Sequence, residues 1–330
     1  MLKQIKQKAE NLLGLYQLKW NRRPNALYCF NYHRIGDKNK TSFDPNVFSC
    51  DVARFEEHIK FFQKNFIILD SERLLKLIES GKPIDEKYAV ITFDDGYIDN
   101  YTLAYPILKK LNCPAIFYIA TDFISQHTLP WWDEVAWLVK NNDLNDFLDL
   151  PWGFPKNIAT IEKHKQIQLI LRIIKDNKST QVNEKMEILR AKATRNFDAK
   201  LEQEKLFMDW DMLIEMNLNG IDIGSQTCSH RILSHLSNDE QLHEILHSKT
   251  LLEEKIKKEI VSLAYPVGGS ESYNKTTLDI TLNAGFKFAF TFIPGINKSL
   301  ERNQFTISRL SIDNQCSTNE IKQRICKYIK

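Results

Sequence analysis

The sequence predicts an α/β fold built on a parallel sheet. Eight short apolar, β-prone runs recur along the 330 residues, helical patterns separate most of them, and several runs end in polar clusters. Strands joined through helices run parallel, because a parallel pair needs a long crossover connection, so the sheet is either open or closed into a barrel.

At the start of the chain, residues 1–24 carry Lys3, Lys6, Lys8, Lys19, Arg22 and Arg23 against Glu10 alone, a local charge of +5 against −2 for the remainder. Leu2, Ile5, Ala9, Leu12, Leu13 and Tyr16 share one helical face there, the pattern of a basic amphipathic helix. Such a helix either rests on an anionic membrane surface or docks on the domain with its basic face in water.

Residues 25–330 form the body. Strand-like runs fall at 26–32, 66–69, 88–93, 115–120, 221–224, 260–265, 287–292 and 305–310. Helical patterns at 52–65, 70–80, 101–111 and 238–258 lie between them, the last opened by a Ser237 and Glu240 capping box. Residues 125–210 break the rhythm: they are helical, highly charged and contain Trp131, Trp132 and Trp137, with little that resembles a strand. They read as a helical insertion into one domain, because polar clusters lie on both sides of them. The three tryptophans suit stacking on a ligand ring or, more commonly, packing of the insertion onto the body.

A composition of 43% hydrophobic and 26% charged residues suits a large buried core. No run approaches the roughly 18 apolar residues of a membrane span, and the start lacks the apolar stretch of a secretory signal. The expected location is the cytoplasm, with peripheral contact to the inner membrane face through residues 1–24. A net charge of +3 is too small to indicate nucleic acid, and no protein partner is expected. Cys29, Cys50, Cys113, Cys228, Cys316 and Cys326 lack the close pairing of a zinc ribbon and are expected to be reduced.

The chemistry gathers at strand ends. In 88–93 every residue is apolar or β-prone, and Asp94 and Asp95 follow at the edge where parallel sheets build active sites. Successive strand residues point oppositely, so the two carboxylates need a turn at Gly96 to converge. Two adjacent carboxylates do not both ionise comfortably in a dry pocket; a cation on one leaves the other as a general base. A plain Asx turn after a strand accounts for Asp-Gly but not for an apolar strand ending in two acids. His230 follows the run 221–224 in a polar turn, the run 260–265 ends in Tyr265 before Pro266-Val267-Gly268, and His33 follows 26–32. Four such clusters at the ends of strands in one sheet converge on one site.

Taken together, Thr92-Phe-Asp-Asp-Gly-Tyr97, Gly224-Ser-Gln-Thr-Cys-Ser-His230 and Ala264-Tyr-Pro-Val-Gly268 resemble the polysaccharide deacetylase family, carbohydrate esterase family four, in order and spacing. The likeness extends to Asn31-Tyr-His-Arg-Ile35, Leu129-Pro-Trp-Trp-Asp133, Met208-Asp-Trp210 and Phe288-Ala-Phe-Thr291, spanning residues 26–313. The resemblance implies a distorted parallel (β/α) barrel of about seven strands, removing acetyl groups from sugars with a divalent metal, often zinc. It implies Asp94 as general base and Asp95 and His230 as metal ligands. Tyr265, with Pro266 and Gly268, would form the oxyanion and substrate loop through its backbone, and His33 would stand beside the metal.

Two departures matter. The family writes His-x-x-x-His where this chain runs from Gln226 to His230, so an amide stands in for one imidazole. An amide oxygen can coordinate a hard cation but is a weaker zinc ligand. A Leu-x-His near the C-terminus is not apparent in Arg309-Leu310-Ser311-Ile312-Asp313, so the usual general-acid histidine has no counterpart there and His33 is the candidate replacement for one of the missing functions. The leading expectation is a metal-dependent N-deacetylase of an N-acetylated sugar or glycan precursor. The alternatives are a glycan-binding or regulatory protein with an impaired metal site, and a deformylase of a related sugar amide.

Overall fold

A computed structural model describes residues 15–329 apart from 127, 148, 154–157, 176–181, 199–203 and 302. Helix α1 (Leu15–Asn21) leads into β1 (Ala26–Tyr32), the short strands β2 (Arg34–Ile35) and β3 (Phe48–Cys50), α2 (Val52–Asn65), β4 (Ile67–Ile68), α3 (Ser71–Glu79) and β5 (Lys87–Phe93). Next come a π-helical turn (Asn100–Ala104), α4 (Tyr105–Lys110), β6 (Ile116–Ile119) and α5 (Thr121–Ser125). The insertion supplies α6 (Trp131–Asn141), α7 (Lys163–Lys175) and α8 (Val182–Lys192). The chain returns through α9 (Trp210–Leu218), β7 (Asp222–Ser225), α10 (Asn238–Ile256), β8 (Ser262–Ala264), α11 (Lys275–Asn283), β9 (Phe288–Phe290), β10 (Leu310–Ser311) and α12 (Thr318–Cys326).

The main sheet runs β10-β1-β5-β6-β7-β8-β9, with β4 beside β5, and every pair is parallel. β6 pairs directly with β7 although the helical insertion lies between them in sequence, so the insertion leaves the sheet and returns to the neighbouring position. The expected strand at 305–310 is shorter than its apolar pattern. Ile307 bonds to Ala289 and Thr291 on the β9 side, and by Leu310 the segment has passed to β1. Switching partner within three residues leaves no room for a long ladder, yet it curls the sheet toward closure. The pairing of β2 with β3 carries too short a pattern to be read from sequence.

All seven residues of β1 are buried, as suits a strand covered on both faces. Phe30 stacks on Phe62 of α2 at 4.0 Å, and Phe93 stacks on Phe117 of β6 at 4.4 Å. Each such ring contributes about 2–3 kcal/mol of burial, and truncating Phe93 to alanine would cost about 3–5 kcal/mol. The ends of the helices are set by local chemistry: Asp51 accepts from Arg54 N–H, Asp70 from Arg73 N–H, and Ser237 with Glu240 forms the expected capping box. The π turn where a regular helix is expected to begin precedes Pro106, which has no N–H to continue an α-helical ladder.

Tyr16 packs against the core and its carbonyl lies beside Cys326 of α12, so this part of the N-terminal segment docks on the domain. The apolar positions from Leu2 to Leu13 lie outside the described residues. Among the described residues, no helix is long and apolar enough to cross a membrane. All six cysteines are free and buried.

Candidate active site

The site lies at the C-terminal edge of the sheet, in a cleft of about 950 Å³ that His33, Asp94, Asp95, Gln226, His230 and Tyr265 all border. β1 and β5 run in register to Tyr32 and Phe93, and the Asp94 N–H extends the ladder to the Tyr32 carbonyl at 3.0 Å. That register brings His33 and Asp94 together, with His33 Nε2 4.0 Å from Asp94 Oδ2.

Asp94 is held by a residue that the motifs do not mark. Arg309, 1% exposed, grips both carboxylate oxygens at 2.7 and 2.9 Å. Two further donors go to Asn31 Oδ1 at 2.7 Å and the Thr291 carbonyl at 2.9 Å. Asn31 in turn donates its amide to Asp94 Oδ2 at 3.1 Å and accepts from the Thr92 hydroxyl at 2.6 Å. A bidentate guanidinium favours the ionised carboxylate and fixes its plane. Arg309 stands where the Leu-x-His was sought, so the place expected to hold a general acid holds a positioning cation. The signal was present: a buried arginine must be paired, and 305–310 otherwise reads as a strand.

Asp95 leaves the strand with φ 76° and Gly96 follows at φ 81°, which turns the second carboxylate toward the same cleft. Its Oδ1 is buried without a hydrogen-bond partner and lies 3.4 Å from His230 Nε2. Desolvation, then Asp94 and Asp133, push its carboxyl well above the usual range. His230 is pushed down to about 4, chiefly by desolvation, with His33 and Lys175 opposing its charge and Asp94 favouring it. Desolvation also lowers His33, against the pull of Asp94.

Buried partners aim the His230 turn. Glu244 of α10 accepts from the N–H groups of Cys228 and Ser229 at 3.0 and 2.9 Å, and the Thr227 and Cys228 carbonyls accept from Thr121 and Asp122. Trp132 meets the imidazole edge-on at 5.0 Å and donates its indole N–H to Tyr97 Oη at 2.9 Å, which donates to Asp133 at 2.8 Å. Trp131 and Trp132 border the cleft, whereas Trp137 is buried. His243 and His247 are exposed and stack on each other, away from the site.

Gln226 is 2% exposed and its amide oxygen accepts the Asp95 N–H at 2.8 Å. This bond helps hold Asp95 in its left-handed conformation. Among the described residues, no group of three or more His, Cys, Asp or Glu side chains is placed to hold a metal. The donor set is instead two strong groups, the unpartnered Asp95 Oδ1 and His230 Nε2, and one neutral amide oxygen with a second lone pair. Two oxygens and one imidazole fit a divalent cation, less tightly than an extra imidazole would.

The Tyr265 loop corrects one expectation. The Tyr265 N–H is committed to the Phe290 carbonyl at 3.0 Å, its ring stacks on Tyr273 at 4.8 Å and its hydroxyl is buried, so neither polar group serves the cleft. Pro266 has no N–H, and that of Gly268 folds back on the Pro266 carbonyl. Between Tyr265 and Gly268, the N–H with no partner among the described residues is that of Val267. Val267 borders the cleft at φ 62°, rare for a β-branched residue and costing about 1–2 kcal/mol. Gly268 is obligatory behind it, since a Cβ there would lie 2.4 Å from the Phe292 nitrogen. Asp95, Thr227, His230 and Val267 all adopt positive φ around this one cleft, and such strain clusters where side chains must be aimed.

The polysaccharide deacetylase sequence profile matches residues 81–148 and 149–289. The chain belongs to the polysaccharide deacetylase family. It is 25% identical over 293 residues to YxkH of Bacillus subtilis, a protein named for the same family, covering 88% of this chain and 72% of that one. A 94-residue stretch, 28% of this chain and 14% of its counterpart, is 28% identical to the poly-β-1,6-N-acetyl-D-glucosamine N-deacetylase of Escherichia coli K12. Two solved structures share the fold. The Streptococcus pyogenes deacetylase PplD, in complex with acetate, matches with a TM-score of 0.59 at 18% identity over 93% of this chain and 99% of PplD. IcaB from Ammonifex degensii matches at 0.58 and 14% identity over 93% and 97% of the two chains. The parallel sheet with its helices agrees with the deacetylase (β/α) barrel.

Proposed function

We propose that this chain hydrolyses the acetamide of an N-acetylated sugar, with Asp94 as general base and His33 as proton donor. The observation that carries this reading is the buried Asp94–Arg309 pair facing His33 beside the Asp95–His230 pair, five side chains from four chain segments at one sheet edge.

The division of labour follows from the environments. Arg309 holds Asp94 oriented through both carboxylate oxygens, ready to take a proton from attacking water as the new C–O bond forms. Val267 N–H is the backbone donor for the oxyanion that develops on the acetyl oxygen. Breaking the C–N bond releases acetate and an amine that needs a proton. His33 is neutral at rest, because desolvation lowers it, so the proton it delivers is the one collected by Asp94, 4.0 Å away and within reach through one water. A divalent cation held by Asp95, His230 and the Gln226 oxygen would supply polarisation of the carbonyl and acidification of the water.

Acetate release from N-acetylglucosamine oligomers, measured for the wild type and Asp94→Asn, tests the base. A fall of about 10²-fold or more in kcat supports it, and unchanged turnover refutes it. The second reading, a glycan-binding protein with an impaired centre, is favoured by the Gln226 oxygen already bonding the Asp95 N–H. Sub-stoichiometric metal with no acetate release would select it. The basic segment 1–24 supports peripheral contact with an anionic membrane; liposome flotation unchanged by its removal would end that reading.

A further inference from the structure

The charges that line the cleft are almost all paired. Arg309 is committed to Asp94, Arg190 grips Glu134 through two bonds of 2.6 Å, and Arg231 is bonded to Glu240 at 3.1 Å and Glu244 at 3.4 Å. Two lining cations are left over. Arg172 and Lys175 are exposed and have no carboxylate partner among the described residues. They stand three positions apart in the last turn of α7, so they share one helix face, and Leu171 beside them borders the same cleft. The remaining lining acids do not balance them. Asp44 is buried and caps Asn46, and Asp95 faces His230 on the floor.

We infer that this rim is an anion subsite, and that the substrate carries a phosphate or carboxylate beyond the sugar ring whose acetamide meets Asp94. The inference rests on the deacetylase reading for which end of the substrate lies on the floor. A guanidinium fork and a mobile ammonium on one face suit an oxyanion, the first by two parallel hydrogen bonds and the second as a point charge. A neutral glycan would leave both cations in water, whereas an anionic one gains capture at the rim and steering into the cleft. The competing role for the same residues is local: cations in a last turn also offset the negative end of their own helix. That role is blind to the charge of the substrate, which makes the two separable.

The test compares the wild type with the double variant Arg172→Gln/Lys175→Gln. Acetate release is followed on a neutral N-acetylglucosamine oligomer, on N-acetylglucosamine 1-phosphate and on an N-acetylhexosaminuronic acid oligomer. The double variant should raise KM for one charged probe about tenfold with kcat unchanged, less so as salt is raised, and move the neutral probe less than about twofold. Which charged probe responds tells phosphate from carboxylate. Equal changes on neutral and charged probes, or no change on either charged one, overturn the inference. If no probe is hydrolysed by the wild type, that counts against the deacetylase reading alone. Calorimetric titration of both charged probes into the two proteins then decides the subsite: binding weakened about tenfold supports it, and absent or unaltered binding overturns it.

Discussion

Replacing Arg309 with methionine removes the cation that holds Asp94 while keeping much of the apolar stem volume. Both partners are buried, at 1% and 3% side-chain exposure, and the guanidinium closes two bonds of 2.7 and 2.9 Å on the carboxylate. Breaking such a pair from one side costs about 3–5 kcal/mol, because the other charge is left without compensation. Asp94 keeps its bond from Asn31, so the lower end, about 3 kcal/mol, is expected. The same change frees the carboxylate to turn away from the attacking water, and a misplacement of about 1 Å costs about 10²-fold in rate. The kcat for acetate release should therefore fall by about 10²-fold. Urea denaturation of the wild type, Arg309→Met, Asp94→Asn and the double variant isolates the pair. The double variant should be more stable than the sum of the single losses allows, by about 1–3 kcal/mol. Additive losses within about 0.5 kcal/mol, with an unchanged kcat, would refute the assignment of Arg309 as the residue that orients Asp94.

Gln226→His should strengthen zinc retention through dialysis by about tenfold or more, at a cost of about 1 kcal/mol for the lost Asp95 N–H acceptor; unchanged metal content would remove position 226 from the ligand set. Gly268→Ala places a methyl 2.4 Å from the Phe292 nitrogen at φ 61° and should cost about 2–4 kcal/mol in thermal unfolding, so a negligible shift in Tm would contradict the loop geometry. His58 is buried between the Tyr32 hydroxyl and the Cys316 carbonyl and is pushed down to about 4, mainly by desolvation. The unfolded chain protonates it first as pH falls below its ordinary value, so its contribution is present above that value and is lost progressively toward pH 4. Raised carboxyls at Asp44, Asp95 and Asp133 act in the opposite sense, so the clean measure is a difference. The stability advantage of the wild type over His58→Gln should shrink by about 2 kcal/mol between pH 7 and pH 5, and a constant advantage would show that His58 is not held neutral.

Most of the secondary structure was legible because its causes are local. The helix at 52–65 is bounded as read, since Asp51 caps it and the apolar period persists to Phe62. The strand 26–32 appears over the same residues because every position is buried. The runs around 116 and 263 were read one or two residues too long at each end, because apolar character outlasts the ladder. Asp94, Asp95, His230 and His33 were legible as candidates because each follows a strand, and the ends of parallel strands meet.

What the sequence determined alone is the set of groups offered to the cleft: two adjacent carboxylates, one imidazole after a glycine-containing strand, an amide at position 226 and a Pro-Gly loop. Only the tertiary structure decided how they are used. Arg309 reaches Asp94 from 215 residues away, and no local pattern predicts which buried acid a buried cation will find. Whether a backbone N–H is free depends on the neighbouring strand: that of Tyr265 is bonded to Phe290, and that of Val267 has no partner among the described residues. Whether Arg172 and Lys175 are surface charges or part of the cleft depends on where the insertion folds back over the sheet edge. Composition fixes which charges exist, but pairing is a matter of distance and dielectric, and both are set by packing.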